Sequence, residues 1–396
     1  YTFMVGTVRL FLPDEYFVSR VFQPLSLALC DWLRRRRVAF TFVPPRQQAR
    51  FNLTNLEDVA FFIGIDTFTG RQYPFSRLPR GALVIIYQTE PLAVSRCWEF
   101  GWDYLRRAVS QLVRRGTRFE VWDYSAANVK AMIRGRCMPP TLGLRLNQSK
   151  MRHLPPGYTA RLVVGGSAYR QHVSNSGGAR GSKGGPTEED VSYAQTAAAA
   201  TAIEVGSNGV GVHRRSWDGR LAFLGHSQYR HAQCWRLLNG SDGWLQHGFV
   251  TVQAWTRPAL GSLLRSHLVW ANLHQHCGDA SSPLEAFRLV SLLSNGAACL
   301  SEVSDEDDAR LFEGLVTFCN FSEMRTCHVQ LRAAEQAAVG GVAAARAARA
   351  RAFARRFSVE NLCARVRCTE GVLGRLLHPG MGRHQRRVRE AADRQK

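Results

Sequence analysis

The sequence predicts an α/β protein of two Rossmann-like domains facing each other across a cleft, followed by a basic helical C-terminal tail. Three observations predict it. Short, continuous apolar runs recur in both halves of the chain, as strands buried on both faces require. Segments with apolar residues at helical spacing separate them, which is the strand–helix–strand rhythm of parallel crossover units. A stretch of Gly, Ser and Ala interrupts the rhythm near the middle. The chain has 396 residues, 45% hydrophobic, which is ample for two cores of ordinary size.

Taken in order, Val21 to Arg37 reads as a helix ending in four arginines, and Val59 to Gly64 as a buried strand. Ala82 to Tyr87 is an apolar run closed by Gln88-Thr89-Glu90-Pro91. From Trp98 to Arg114 the apolar residues Trp102, Leu105, Val109, Leu112 and Val113 fall on one helical face, and Gly116 stops the segment. Phe119 to Trp122 is the next strand. These elements define an N-terminal domain over residues 1–164.

Residues 165–211 are dominated by Gly, Ser and Ala. Such a composition cannot bury enough apolar surface to offset the entropy of ordering, so a linker or insertion is expected there, with Ser174 to Gly185 exposed and mobile. The rhythm resumes over 212–332: a strand at Leu221 to Gly225, a helix at Arg230 to Leu238, and strands at Phe249 to Val252 and Leu268 to Leu273. Pro283 opens a helix through Leu293, Ser294-Asn295-Gly296 stops it, and Ala297 to Leu300 is a further strand. The tail, 333–396, is expected to be helical from Ala343 to Phe357 and disordered beyond His378.

Lys and Arg number 52 against 31 Asp and Glu, giving +21. Only four of the basic residues are lysines, and the tail alone holds 14 basic and 5 acidic side chains. Such a surface attracts polyanions, nucleic acid or anionic lipid. No run of eighteen apolar residues is present, which excludes a spanning helix of ordinary length. With no secretory signal in this chain either, an intracellular location is the expectation, although Tyr1 leaves open an N-terminus already processed. Ten scattered cysteines are expected to be mostly reduced and buried. Cys319 with Cys327 and His328, or Cys363 with Cys368, lack the paired knuckles of a structural zinc site.

Polar residues at the ends of the expected strands form an ordered series. Tyr87-Gln88-Thr89-Glu90-Pro91-Leu92 comes first, then Val121-Trp122-Asp123-Tyr124-Ser125-Ala126-Ala127-Asn128, then His153-Leu154-Pro155-Pro156-Gly157-Tyr158. In the second half stand Phe223-Leu224-Gly225-His226-Ser227 with Arg230, Leu273-His274, Leu284-Glu285-Ala286-Phe287-Arg288-Leu289, Leu293-Ser294-Asn295-Gly296 and Ser301-Glu302. The series resembles two-domain GT-B glycosyltransferases of the spore-coat and capsule type, over about Gly81 to Met324.

The resemblance implies a metal-independent transfer of sugar from a nucleotide-sugar to a hydroxyl of a glycan, protein or lipid acceptor, with the nucleotide-sugar as substrate and no resident cofactor. Gly225, Arg230, Glu285, Arg288 and Glu302 would face the donor, with Glu285 on the ribose hydroxyls. Gln88, Tyr124, Ser125 and Asn128 would face the acceptor, and Glu90, Asp123 and His274 are candidate bases. Read as residues alone, Glu285 equally complements a helix dipole, Arg288 equally pairs with it on the surface, and Asp123 with Ser125 equally organises a turn. A helix N-terminus beside the donor would supply free N–H groups to the leaving diphosphate.

Asp305-Glu306-Asp307 formally matches a metal-binding D-x-D pattern. Following Ser304 and preceding an expected apolar helix from Leu311, it reads better as a capping box. The competing functional reading is a catalytically silent polyanion or nucleic-acid binder acting through the arginine-rich tail.

Overall fold

The computed structural model describes residues 6–12, 22–43, 58–64, 78–93, 100–135, 150–159, 217–225, 232–240, 248–252, 257–274 and 277–368, with a few isolated positions between them. The Gly/Ser/Ala stretch from Ser174 to Gly185, Arg230, and the tail beyond Cys368 lie outside the described residues.

Two all-parallel sheets organise the chain. The first contains β1 (Val8–Phe11), β2 (Phe40–Val43), β3 (Val59–Ile63), β4 (Leu83–Gln88), β5 (Arg118–Asp123) and β6 (Met151–His153), in the order β2-β1-β3-β4-β5-β6. Its helices are α1 (Gln23–Arg35), α2 (Phe100–Arg114) and α3 (Ala126–Ile133). The second contains β7 (Leu221–Leu224), β8 (Phe249–Val252), β9 (Val269–Asn272), β10 (Ala298–Glu302) and β11 (Val316–Cys319), in the order β11-β10-β9-β7-β8. Helices α4 (Ala232–Asn239), α5 (Arg257–Ser266), α6 (Ala286–Leu293), α7 (Glu306–Leu311) and α8 (Met324–Gln336) accompany it, and α9 (Gly341–Arg356) and α10 (Val359–Val366) follow. The predicted α/β class is therefore the observed one.

The central strands β3, β4, β7 and β9 are buried at every position. That is why they read as unbroken apolar runs. The strands that the sequence pattern does not reveal are short or at an edge: β1, β2, β6 and β11 have four residues or fewer. The helix expected from Leu311 is not formed. Helix α7 ends at Leu311, and β11 occupies Val316–Cys319, paired in parallel with β10. The cap also differs: Asp305, not Ser304, is the N-cap, its carboxylate accepting from the Asp307 amide, while Ser304 is buried behind it.

The two sheets share one apolar cluster. Phe22, Leu25, Leu29 and Tyr87 from the first meet Phe287, Leu289 and Leu292 of α6. The expected tail helix is α9, and it is part of this body: Phe353 and Phe357 are fully buried in the same cluster. The chain then returns to the first sheet, where the Tyr158 amide donates to the Phe357 carbonyl and Arg35 pairs with Glu360 of α10.

The expectation of mostly reduced cysteines is corrected. Eight are paired, as Cys97–Cys137, Cys234–Cys277, Cys319–Cys327 and Cys363–Cys368, leaving Cys30 and Cys299 free and buried. Partners such as Cys97 and Cys137 are 40 residues apart in sequence, so spacing could not reveal them. No metal-binding group occurs among the described residues.

Candidate functional site

The carboxyl ends of β5 and β6 meet the segments that follow β9 and β10, so the carboxyl edges of both sheets face one another. On the first sheet, Asp123 ends β5, and its carboxylate accepts from the Ser125 amide (2.8 Å) and the Asn128 side-chain amide (3.0 Å). Ser125 caps α3 by accepting from the Asn128 amide (3.3 Å). Asn128 also donates to the Glu90 carbonyl (2.7 Å) and accepts from the Ala93 amide (2.9 Å), tying the loop after β4 to the loop after β5. Gln88 is fully buried at the end of β4, and neither polar atom of its side chain has a hydrogen-bond partner among the described residues.

Tyr124 lies at the seam, 6% exposed, with its ring 5.4 Å from that of Phe287. Burial pushes its hydroxyl pKa well up, and the surrounding Glu285, Asp123, Asp308 and Glu90 push it further. It is a neutral phenol at any physiological pH.

On the second sheet, the guanidinium of Arg288 donates to the Leu224 carbonyl (2.6 Å) and the Asn272 side chain (2.7 Å), and it lies 4.6 Å from the centroid of the Phe223 ring. It thereby clasps the ends of β7 and β9 to α6. Its remaining nitrogen lies 3.7 Å from the Glu285 carboxylate. Gly225 follows β7 at φ 154°, where an added Cβ would come within 3.0 Å of Phe223 and 3.6 Å of Arg288. The helix expected from Pro283 begins later, at Ala286. Glu285 is its N-cap residue and makes no side-chain cap bond, so its carboxylate, about a third exposed, projects to the seam.

His274, 2% exposed, donates its backbone amide to one oxygen of Glu302 (2.8 Å), and the other oxygen accepts from the Gly278 amide (2.8 Å). Glu302 thus holds the loop after β9 from beneath. The Cys234–Cys277 disulfide holds the same loop from α4.

Four residues at the seam were given no role by sequence reasoning: Asp308 and Lys130, and His153 and Phe287, which stand within the motif series. Asp308 of α7 accepts from the Ser125 hydroxyl (2.5 Å), the Ala126 amide (2.6 Å) and the Leu284 amide (3.3 Å), joining the two sheets. Burial pushes its carboxyl up to about 6 despite these donors. His153 sits 3.8 Å away and is pushed down to about 4, chiefly by burial. Lys130 bridges to Asp305 (3.1 Å) and Asp307 (2.6 Å). A signal existed for part of this set, since Lys130 is one of only four lysines in the chain. Asp308 was hidden inside an acidic run that reads as a helix start.

The structure therefore brings Gly225, Glu285 and Arg288 together through one guanidinium, and His274 and Glu302 through one loop. Gln88, Glu90, Asp123, Tyr124, Ser125 and Asn128 gather at the facing strand ends. Of the carboxylates here, Glu90 and Glu285 keep solvent access, whereas Asp123, Glu302 and Asp308 are buried. Chemically, the seam offers partly exposed carboxylates at Glu90 and Glu285, with Asp305 and Asp307 paired to Lys130, beside buried, hydrogen-bonded supports.

No family model matches the chain, and no curated protein matches it. Among solved structures it is similar to Anabaena HepE in complex with UDP-glucose, at 11% identity over 91% of this chain and 98% of that one, with a TM-score of 0.43. It is also similar to the glycosyltransferase SnogD of Streptomyces nogalater, at 13% identity over 92% and 99%, with a TM-score of 0.33. A third is sucrose-phosphate synthase of Thermosynechococcus elongatus, at 12% identity over 98% and 100%, with a TM-score of 0.35.

Proposed function

We propose that the protein transfers a sugar from a nucleotide-sugar to an acceptor hydroxyl in the seam between the two sheets. The observation that carries this reading is the meeting of two parallel-sheet carboxyl edges, each lined by the polar residues of the motif series. In this reading the donor lies on the second sheet. Glu285 accepts from its ribose hydroxyls, and the amino end of α6, where partial positive charge favours an anion, faces the diphosphate. Arg288, whose donors are committed to Leu224 and Asn272, braces Glu285 rather than touching phosphate. Glu90, only partly buried, takes the acceptor proton from the opposite wall. No step requires a metal ion.

A thermal-shift panel of nucleotides and nucleotide-sugars tests the reading. A true donor at a hundred times its Kd stabilises the fold by about 2.7 kcal/mol, and Glu285→Ala should weaken that donor by about 1–3 kcal/mol. Absence of any nucleotide-dependent shift, together with no sugar transfer to a broad acceptor set, would reject the proposal.

A further inference from the structure

At the amino end of the first sheet, remote from the seam, the chain builds a basic and aromatic surface. Helix α1 ends with Arg34 and Arg35, and Arg36 and Arg37 continue the run; all four are exposed. Successive helical residues are rotated by about 100°, so Arg34 and Arg35 occupy different sides of the last turn, with Arg36 at the C-cap and Arg37 beyond it. Arg37 adopts φ 56°, which reverses the chain, and Val38 then leads into β2.

Strand β2 is the edge of its sheet, and its Phe42 is 47% exposed. The two features are physically joined. The Arg34 guanidinium lies 5.1 Å from the centroid of the Phe40 ring, and Phe40 meets Phe42 edge-on at 6.1 Å. Arg9 extends the surface along the strand by donating to the Thr41 hydroxyl (2.9 Å). Among the described residues, Asp31 and Glu360 pair with Arg34 and Arg35, and Asp58 pairs with Arg9. Arg36 and Arg37 have no ion pair among the described residues.

We propose that this corner is a docking surface for an anionic lipid bilayer. Charge complementarity names the partner's sign, and shape with the exposed ring names its class. A cluster of exposed guanidiniums at a helix end beside a solvent-facing phenyl suits a soft planar surface that receives the ring between headgroups while the arginines meet lipid phosphates. Nucleic acid would be gripped by a groove or stripe of basic side chains with rings stacked on bases. Docking here leaves the seam free, because it lies at the opposite end of the strands.

Co-sedimentation of the full chain with vesicles tests the proposal, comparing phosphatidylcholine alone with phosphatidylcholine containing about one third phosphatidylserine, at about 0.1 M salt, where screening still permits surface attraction. Binding should require the anionic lipid. Arg36→Gln with Arg37→Gln should reduce it about 25-fold, at about fivefold per arginine near the surface. Phe42→Ser should reduce it severalfold at unchanged charge, with the melting temperature of each variant confirming the fold. Undiminished binding in both variants would assign any lipid affinity to the basic C-terminal region and overturn the proposal. So would binding to single-stranded oligonucleotides that is lost in the arginine variant while vesicle binding persists. Aggregation of the variants without loss of vesicle binding would show that the charges only guard an edge strand, and it too would overturn the proposal.

Discussion

Asp308 and His153 illustrate how one buried spot sets opposite pH responses. Asp308 is raised to about 6 by burial, so its ionised form is disfavoured in the folded state. Its contribution makes stability fall as pH rises from about 4 to 6. His153 is lowered to about 4; the unfolded chain binds its proton more readily, so its contribution makes stability rise with pH from about 4 to 6.5. The two slopes oppose each other in one window. His328, likewise lowered to about 4 by burial, adds a second rising contribution, so denaturant unfolding of the wild type should show a net rise in stability between about pH 4 and 6.5. Asp308→Asn should steepen that rise and His153→Gln should flatten it, each by roughly 2–3 kcal/mol across the window. Parallel slopes in the two variants would refute the assignment. At the same scale, Asn128 shows why its motif is legible: one amide satisfies three loop groups, which no other residue type of that size can do.

At the scale of elements, the turn from α6 into β10 and the helix α9 depend on each other. Gly296 sits at φ 69°, and a Cβ there would meet the Arg346 backbone carbonyl at 2.0 Å. Arg346 in turn donates to the Leu264 and His267 carbonyls, and Arg349 to the Gly296 carbonyl and Glu335. Gly296→Ala therefore combines left-handed strain with a backbone clash, and should cost more than about 2 kcal/mol, read as a fall in melting temperature. Phe353→Ala, at a fully buried position, should cost about 3–5 kcal/mol in the same assay. A surface-like response below about 1 kcal/mol would mean that α9 is not docked. The sequence marked Gly296 as a helix stop. It carried no sign that a helix some fifty residues later presses on it.

At the scale of the molecule, four disulfides alter what holds the fold together. Cys97–Cys137 and Cys234–Cys277 close loops of 40 and 43 residues, and each should contribute about 4 kcal/mol by restricting the unfolded chain. They brace the loops after β4 and β9, one on each side of the seam. Chain unfolded without reductant should react with a thiol reagent at two cysteines, Cys30 and Cys299, and reductant should lower the melting temperature markedly. Reaction at all ten thiols, with no thermal effect of reductant, would return the chain to the reduced state its scattered cysteines first suggest.

The sequence by itself determined the central buried strands, the helices α1, α2, α4, α6 and α9, and the polar ends at Gln88, Asp123, Gly225 and Glu302. Strands covered on both faces must be continuously apolar, and ligand-facing edges must not be. Only the tertiary structure decided which polar groups are spent on support and which stay accessible. Asp123 turned inward onto Ser125 and Asn128, Arg288 onto two strand ends, and Glu302 onto a loop, while Glu285 and Glu90 kept solvent. The Asp308 bridge to Ser125 spans 183 residues, and two of the four disulfides join partners 40 and 43 residues apart. Hydrogen bonds and crosslinks act over a few ångströms of space, whereas sequence patterns report only on neighbours within a turn or a strand.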